Sequence, residues 1–217
     1  MQIEPFFLSK VICFCKEKLL EKENRRESIL AAAENVMSTH GIHGLSIDLI
    51  ANETQLAKGT IYLYFKSKEE ILSTLSVKSR KLLLKEFQKI QQKKLSNIEQ
   101  LKELVNTNYA FYKKKPMYYD LISLYEVNNT LTETEEMYES GRDISNLIVD
   151  IATKAQNEGT LNPAINPLHF SFCIWGMTVG VFQLIKVRGT LMKEKMNISE
   201  QDLLNTFLQT LENGIKK

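Results

Sequence analysis

The chain has 217 residues, 43% of them hydrophobic and 25% charged, which excludes a disordered or fibrous protein and suffices for one large domain or a small one joined to a medium one. Four prolines and nine glycines are too few for the turns of a β-sandwich, and long amphipathic stretches predict an all-α protein. The net charge of +2 is uneven: residues 55–94 hold ten Lys/Arg against Glu69, Glu70 and Glu86, while residues 131–217 hold eight Lys/Arg against eleven Asp/Glu. That distribution fits a polyanion-facing head on a body that faces elsewhere, although lysine-rich helices also serve solubility.

Residues 1–23 read as an amino-terminal extension, frayed or packed as a short helix. Lys10 interrupts its apolar residues, and neither a basic leader region nor a small-residue cleavage site accompanies them. Cys13, Cys15 and Cys173 form an odd set with no histidine cluster nearby. They predict reduced thiols, a cytoplasmic setting and no metal site.

The first amphipathic helix is expected at about 24–39, with Ile29, Ala32, Ala33, Val36 and Met37 on one face and Gly41 as its stop. Ser46 is placed to cap a second short helix, which turns Ile47, Ile50 and Ala51 inward. Thr54-Gln55-Leu56 forms the turn, and a third helix follows over 57–64 with Ile61 and Phe65 on its core side. This helix opens with Lys58, Gly59 and Thr60 and carries Tyr62 and Tyr64: a cation, a bare backbone and hydroxyls suited to a polyanion. Two short helices joined in this way are a common means of entering the DNA major groove. Ser67 and Glu70 spell a capping box for a fourth helix that runs to about Lys94. Five more helices are expected at about 97–114, 116–127, 132–157, 167–188 and 199–213, nine in all.

The stretch Ile29–Leu72 resembles the amino-terminal domain of the TetR family of transcriptional regulators. The resemblance rests on Ala32-Ala33, Gly41, Ser46 with Ile50-Ala51, Lys58-Gly59-Thr60-Ile61-Tyr62-x-Tyr64-Phe65 and Ser67-Lys68-Glu69. It implies a helix-turn-helix DNA-binding domain over 24–70 and a ligand-binding and dimerisation domain over 71–217. It further implies that Lys58, Gly59 and Thr60 approach base edges and phosphates, that Tyr62 and Tyr64 reach the sugar-phosphate backbone, and that Ser46 and Lys68 clamp phosphates. For Tyr64, completion of the head's core is an equal alternative. Two positions depart from the family pattern. Gln55 replaces a turn glycine, at a cost on the order of 1 kcal/mol. Ala57 replaces a capping serine, with a loss of roughly 1 kcal/mol.

In the body, the resemblance implies a pocket for a small apolar or amphipathic effector. Tyr112, Tyr125, Trp175 and Met177 are the candidate lining residues, against the alternative of ordinary core packing. Glu126, Glu139 and Asp143 are available to a cationic ligand or to solvent. The apolar run 168–187 contains His169, Gln183 and Lys186 and has no second span beside it. It reads as a buried helix and not a membrane span. By resemblance, the last two helices pair with their copies in a homodimer, with Leu203, Leu204, Phe207, Leu208 and Leu211 as the matching stripe. His40, His43 and His169 form no catalytic set, no phosphate-cradling glycine loop or nucleophile elbow occurs, and the Asn-x-Thr/Ser matches at Asn52, Asn128 and Asn197 carry no meaning in a cytosolic protein. The expectation is therefore an operator-binding repressor, neither an enzyme nor a cofactor protein. The alternative is a DNA-binding regulator controlled by a protein partner.

Overall fold

The structure is a computed structural model that describes residues 5–128 and 131–216; the side chains of Cys13 and Cys15, and Thr130 of the Asn128 match, lie outside the described residues. Among the described residues the fold is all-α. It comprises α1 (Pro5–His40), α2 (Ile47–Thr54), α3 (Lys58–Tyr62), α4 (Lys68–Ile90), α5 (Asn97–Lys114), α6 (Pro116–Val127), α7 (Glu135–Asn157), α8 (Pro167–Met196) and α9 (Glu200–Ile215). The chain forms two compact units, Met1–Leu75 and Ser76–Lys217.

The first unit differs from expectation at its start: α1 runs unbroken from Pro5 through the expected extension. No proline or glycine interrupts the chain between Pro5 and Gly41, and the Lys, Glu and Leu residues of 16–23 are good helix formers. This early part buries little, since Leu19 and Leu20 are exposed. From Ile29 onward α1 turns Ile29, Leu30, Ala32, Ala33, Val36 and Met37 into the core, and Gly41 at φ +71° ends it. Ile50 and Ala51 of α2, Ile61 of α3, Phe65, and Ile71, Leu72 and Leu75 of α4 complete that core. The Arg26 guanidinium lies 4.6 Å over the Phe65 ring and donates to Thr74, so a cation roofs this small core while keeping its charge near water.

In the second unit, α7 lies against α8 and α5, and α5 also meets α6 and α9. The core includes Leu83, Phe87 and Ile90 of α4, Leu101 and Leu104 of α5, Ile144, Ile148 and Ile151 of α7, and Phe182 and Ile185 of α8. Gly141 of α7 has a reason in packing: a Cβ there would stand 3.4 Å from the Arg80 guanidinium. Two expectations change. First, α8 continues past Gly189 to Met196, and Asn197 in the left-handed region (φ 54°) terminates it. Second, Leu204, Phe207, Leu208 and Leu211 are buried within their own subunit. The stripe expected to face a twin is therefore used against α5 and α8, and α9 turns Gln201, Asn205 and Gln209 outward. In contrast, α8 leaves Leu168, Phe172, Met177, Leu184, Val187 and Leu191 exposed. It is also long and apolar enough to cross a membrane by composition alone, with a mean hydropathy of 1.5 over its most apolar window.

Candidate nucleic-acid interface and effector site

Local chemistry fixes the orientation of α3. The hydroxyl of Ser46 accepts from the Leu49 amide at 3.3 Å and starts α2. Thr54 closes α2 by donating to the Ile50 carbonyl at 2.7 Å. Gln55 then takes the left-handed conformation (φ 55°, ψ 31°), so the turn keeps its glycine-like geometry without a glycine. Ala57 stands at the N-cap of α3 with no side-chain bond to the free amides of the first turn. Both departures seen in the sequence are thus borne by the backbone, and the turn still delivers Ile61 fully buried.

With Ile61 and Phe65 pointing inward, the opposite side of α3 faces outward. Lys58 and Gly59 are exposed, Tyr62 is 50% exposed, and Thr60 and Tyr64 are half-buried. A Cβ on Gly59 would meet nothing within 4 Å. No contact within the chain therefore requires glycine there, whereas an outside surface approaching the helix would. Lys58 pairs with Asp48 of α2, and this partner raises the lysine's pKa above its ordinary value. Exposed pairs contribute little to stability, so a phosphate can replace Asp48 at small cost. Ser67 accepts from the Glu70 amide, but the Glu70 carboxylate reaches back to the amide of Lys66 and not that of Ser67. The expected capping box is therefore displaced by one residue, and Lys68, half-buried, opens α4 beside it. The basic stretch 55–94 is less of a DNA-facing surface than its count suggested: Arg80 is 3% exposed, and the residues from Ser76 onward belong to the second unit.

The second unit contains a cavity of only about 10 Å³, bounded by Phe87, Asn108, Ile148, Trp175 and Thr178 among others. Of the four expected lining residues, Trp175 is on its wall. Tyr112 lies within an aromatic cluster, 5.2 Å from the Tyr119 ring and 5.8 Å from that of Phe182. Tyr125 is half-buried on α6 without bounding the cavity, and Met177 is 42% exposed on the outer side of α8. Between α5 and α9, Tyr109 donates to Glu200 at 2.6 Å and Lys113 does so at 2.9 Å. These two partners hold the Glu200 carboxyl below its usual range.

Sequence reading missed the polar centre of this unit. Arg80 donates to the Met137 carbonyl and to Glu133, each at 2.6 Å, and to Glu126 at 3.4 Å. One buried cation therefore ties α4 to α6, to α7 and to the segment before α7. Burial pushes the Glu126 carboxyl up, against the pull of Arg80, and the Trp175 indole donates to it. Glu126, considered for a cationic ligand, is held within the chain instead. The signal was present: Arg80 shares the helical face of Ser76, Leu83 and Phe87 at three- and four-residue spacing. Among the described residues, no cluster of three or more His, Cys, Asp or Glu is placed to hold a metal.

A short helix docked on an apolar core, with its basic and hydroxylic side turned out across a tight turn from a capped partner helix, defines a helix-turn-helix DNA-binding protein. Residues 29–75 match the family described as bacterial regulatory proteins, tetR family. An uncharacterised HTH-type transcriptional regulator of Lactococcus lactis subsp. lactis is 29% identical over 86% of this chain and 94% of its own length. A second such regulator, from Haemophilus influenzae, is 28% identical over 48% of this chain; the match spans 56% of that relative's length. The crystal structure of the transcriptional regulator FadR from Bacillus subtilis in complex with stearoyl-CoA shares the fold, with a TM-score of 0.67 and 22% identity over 87% of this chain and 98% of that one. Residues 29–75 thus form the amino-terminal domain of a TetR family transcriptional regulator.

Proposed function

We propose that this protein is an effector-responsive repressor that binds a near-palindromic operator as a homodimer and releases it when an amphipathic acyl compound occupies the second unit. The observation that carries the reading is the outward face of α3. There Lys58, Gly59, Thr60, Tyr62 and Tyr64, with Ser46 and Lys68 beside them, assemble the donors and bare backbone that a phosphate-lined groove needs. Two recognition helices related by a two-fold axis require a palindromic site. The exposed apolar side of α8, including Phe172, Leu184 and Val187, is the surface a second copy covers. The acyl class rests on the stearoyl-CoA bound by the FadR of similar fold and on the aromatic cluster here.

The effector acts through the bonds around Arg80. Trp175 bounds the cavity and donates to Glu126, Glu126 pairs with Arg80, and Arg80 belongs to α4. A compound that displaces Trp175 breaks this series at Glu126 and loosens one of the three bonds by which Arg80 holds α4. Release of DNA by ~100-fold requires about 2.7 kcal/mol of coupling, which the loss of one or two charge-assisted hydrogen bonds supplies.

The test is binding to DNA from immediately upstream of the gene and to a genomic fragment library at two salt concentrations, with Tyr62→Ala beside wild type. With ~8 phosphate contacts per dimer, affinity should fall on the order of 10³-fold or more between about 50 and about 200 mM salt. Specific binding should be lost in the variant and reversed by stearoyl-CoA. A salt-independent interaction would overturn the operator reading. Specific binding that no acyl compound reverses would favour control by a protein partner.

A further inference from the structure

Two buried polar atoms in the second unit have no hydrogen-bond partner: the side-chain carbonyl oxygen of Asn108 and the phenol oxygen of Tyr119. Their residues are 2% and 4% exposed. A buried polar group without a partner is costly, and folded proteins carry few of them. These two lie in one interhelical wedge. Asn108 bounds the small cavity with Thr178 and Trp175. One turn along α5 is Tyr112, in edge contact with the Tyr119 ring, and one turn along α8 from Thr178 is Phe182, 5.8 Å from that ring. Phe87, Leu104, Val105, Ile148 and Ile174 line the rest of the cavity around Asn108.

We propose that Asn108 and Tyr119 are the polar recognition pair for the effector, taking a donor and an acceptor carried by neutral groups set in an otherwise apolar chain. An acyl thioester followed a few atoms later by an amide N–H has this chemistry. The assignment rests on the effector reading above and deepens it. A plain hydrocarbon of the same length leaves both atoms unpaired and is rejected, because a site with buried polar groups discriminates strongly against a ligand that cannot bond them. Burial pushes the Tyr119 phenol up, so it stays a neutral donor. At about 10 Å³ the cavity is closed to anything larger than a water. The chain of the effector must therefore separate the rings of Tyr109, Tyr112 and Phe182, of which Tyr109 is tied to Glu200.

The test compares wild type with Tyr119→Phe and Asn108→Leu in two measurements. Trp175 is the sole tryptophan of the chain and stands on the cavity wall, so its emission reports occupancy during titration with stearoyl-CoA, 1-octanol and octane. The expected result is a response to stearoyl-CoA and 1-octanol but not to octane, with affinity about 10-fold weaker in each variant, the loss of one hydrogen bond. Without ligand, each variant should melt at the same temperature as wild type or about 2–4 °C higher, because it removes an unpaired polar atom. Variants that bind equally well, or that melt several degrees lower without ligand, overturn the proposal: the two atoms would then be paired with a structural water. If none of the three probes alters the emission of wild type, the effector reading fails, and this assignment with it.

Discussion

Among the described residues, the buried side chains of the first unit are apolar apart from Ser73, whose hydroxyl is returned to the carbonyl of Glu70. Its charged and hydroxylic groups face outward around α2 and α3, several of them with a local partner such as the Leu49 amide or Asp48. The interior of the second unit instead contains Arg80, Asn108, Ser140, Ser171, Thr178 and the phenol of Tyr119. A unit with an apolar, filled core has one low-energy arrangement and acts by presenting a surface. A unit with buried ions and orphaned polar atoms has its stability set by whether each is paired, so a ligand that pairs or unpairs them changes its preferred arrangement. The proposed division, presentation in one unit and response in the other, agrees with where each places its polar groups.

The sharpest way to break this contrast is to remove the buried cation. Arg80→Ala removes one of the donors to the Met137 carbonyl, which keeps the Ser140 hydroxyl, and leaves Glu126 and Glu133 without their cation. Loss of one member of a buried pair costs about 3–5 kcal/mol. Here about 2 kcal/mol is expected, since the Glu133 side chain is 41% exposed and regains water. That corresponds to a fall in melting temperature of roughly 4–8 °C for a chain of this size. A smaller change would mean that the polar centre does not govern the stability of this unit.

Gly59→Ala tests the other side of the contrast. The added methyl meets nothing in the free protein. Replacing glycine in a helix should therefore stabilise the first unit by about 0.5–1 kcal/mol. If α3 lies against a groove wall, operator affinity should fall about 10-fold at the same time, or about 1.4 kcal/mol. Melting and binding curves on one preparation would read both, and a variant that is more stable and binds as well would place the groove contact elsewhere.

Gln55→Gly is a smaller and purely local change. At φ 55° the glutamine is in a conformation that a side chain disfavours, and glycine should recover about 1 kcal/mol, less what it adds to the freedom of the unfolded chain. Operator affinity should be unchanged. Altered affinity would show that the glutamine side chain, and not only the turn, touches DNA.

How much of this was legible in the sequence follows the same division. The core face of α1, the Ser46 cap, the strained Gln55 and the uncapped Ala57 are local features, decided by residues a few positions apart, and they could be read directly. The start of α1 could not, because the Lys, Glu and Leu residues of 16–23 carry the helix into Asn24 with no break to mark a start there. The end of α8 was placed at 188, where the apolar run 168–187 closes; Leu191 and Met192 carry the helix on, and Asn197 stops it. The outward face of α9 was missed for a different reason. One apolar stripe serves equally well against its own body or a twin, and only tertiary placement decides. Asn108 and Tyr119 carried no signal at all, since an unpaired atom is visible only when every neighbour is placed.

The smallest expected effect lies on the surface between α5 and α9. Glu212 accepts from Lys102 at 2.6 Å and also pairs with Lys216, and these two cations hold its carboxyl at about 2 against an ordinary 4.5. A carboxyl depressed in the folded state contributes stability that is present above its unfolded pKa and lost as pH falls toward the folded value. The seam between α5 and α9 should therefore weaken progressively between about pH 5 and about pH 2. Glu126 runs the other way, because burial raises its carboxyl and protonation relieves part of that cost. Melting curves followed through Trp175 across this range, with Lys102→Met beside wild type, separate the two. The variant should lose part of the acid dependence while keeping the response of Glu126. An unchanged acid profile in Lys102→Met would assign the pH response of the second unit to the Arg80 centre alone.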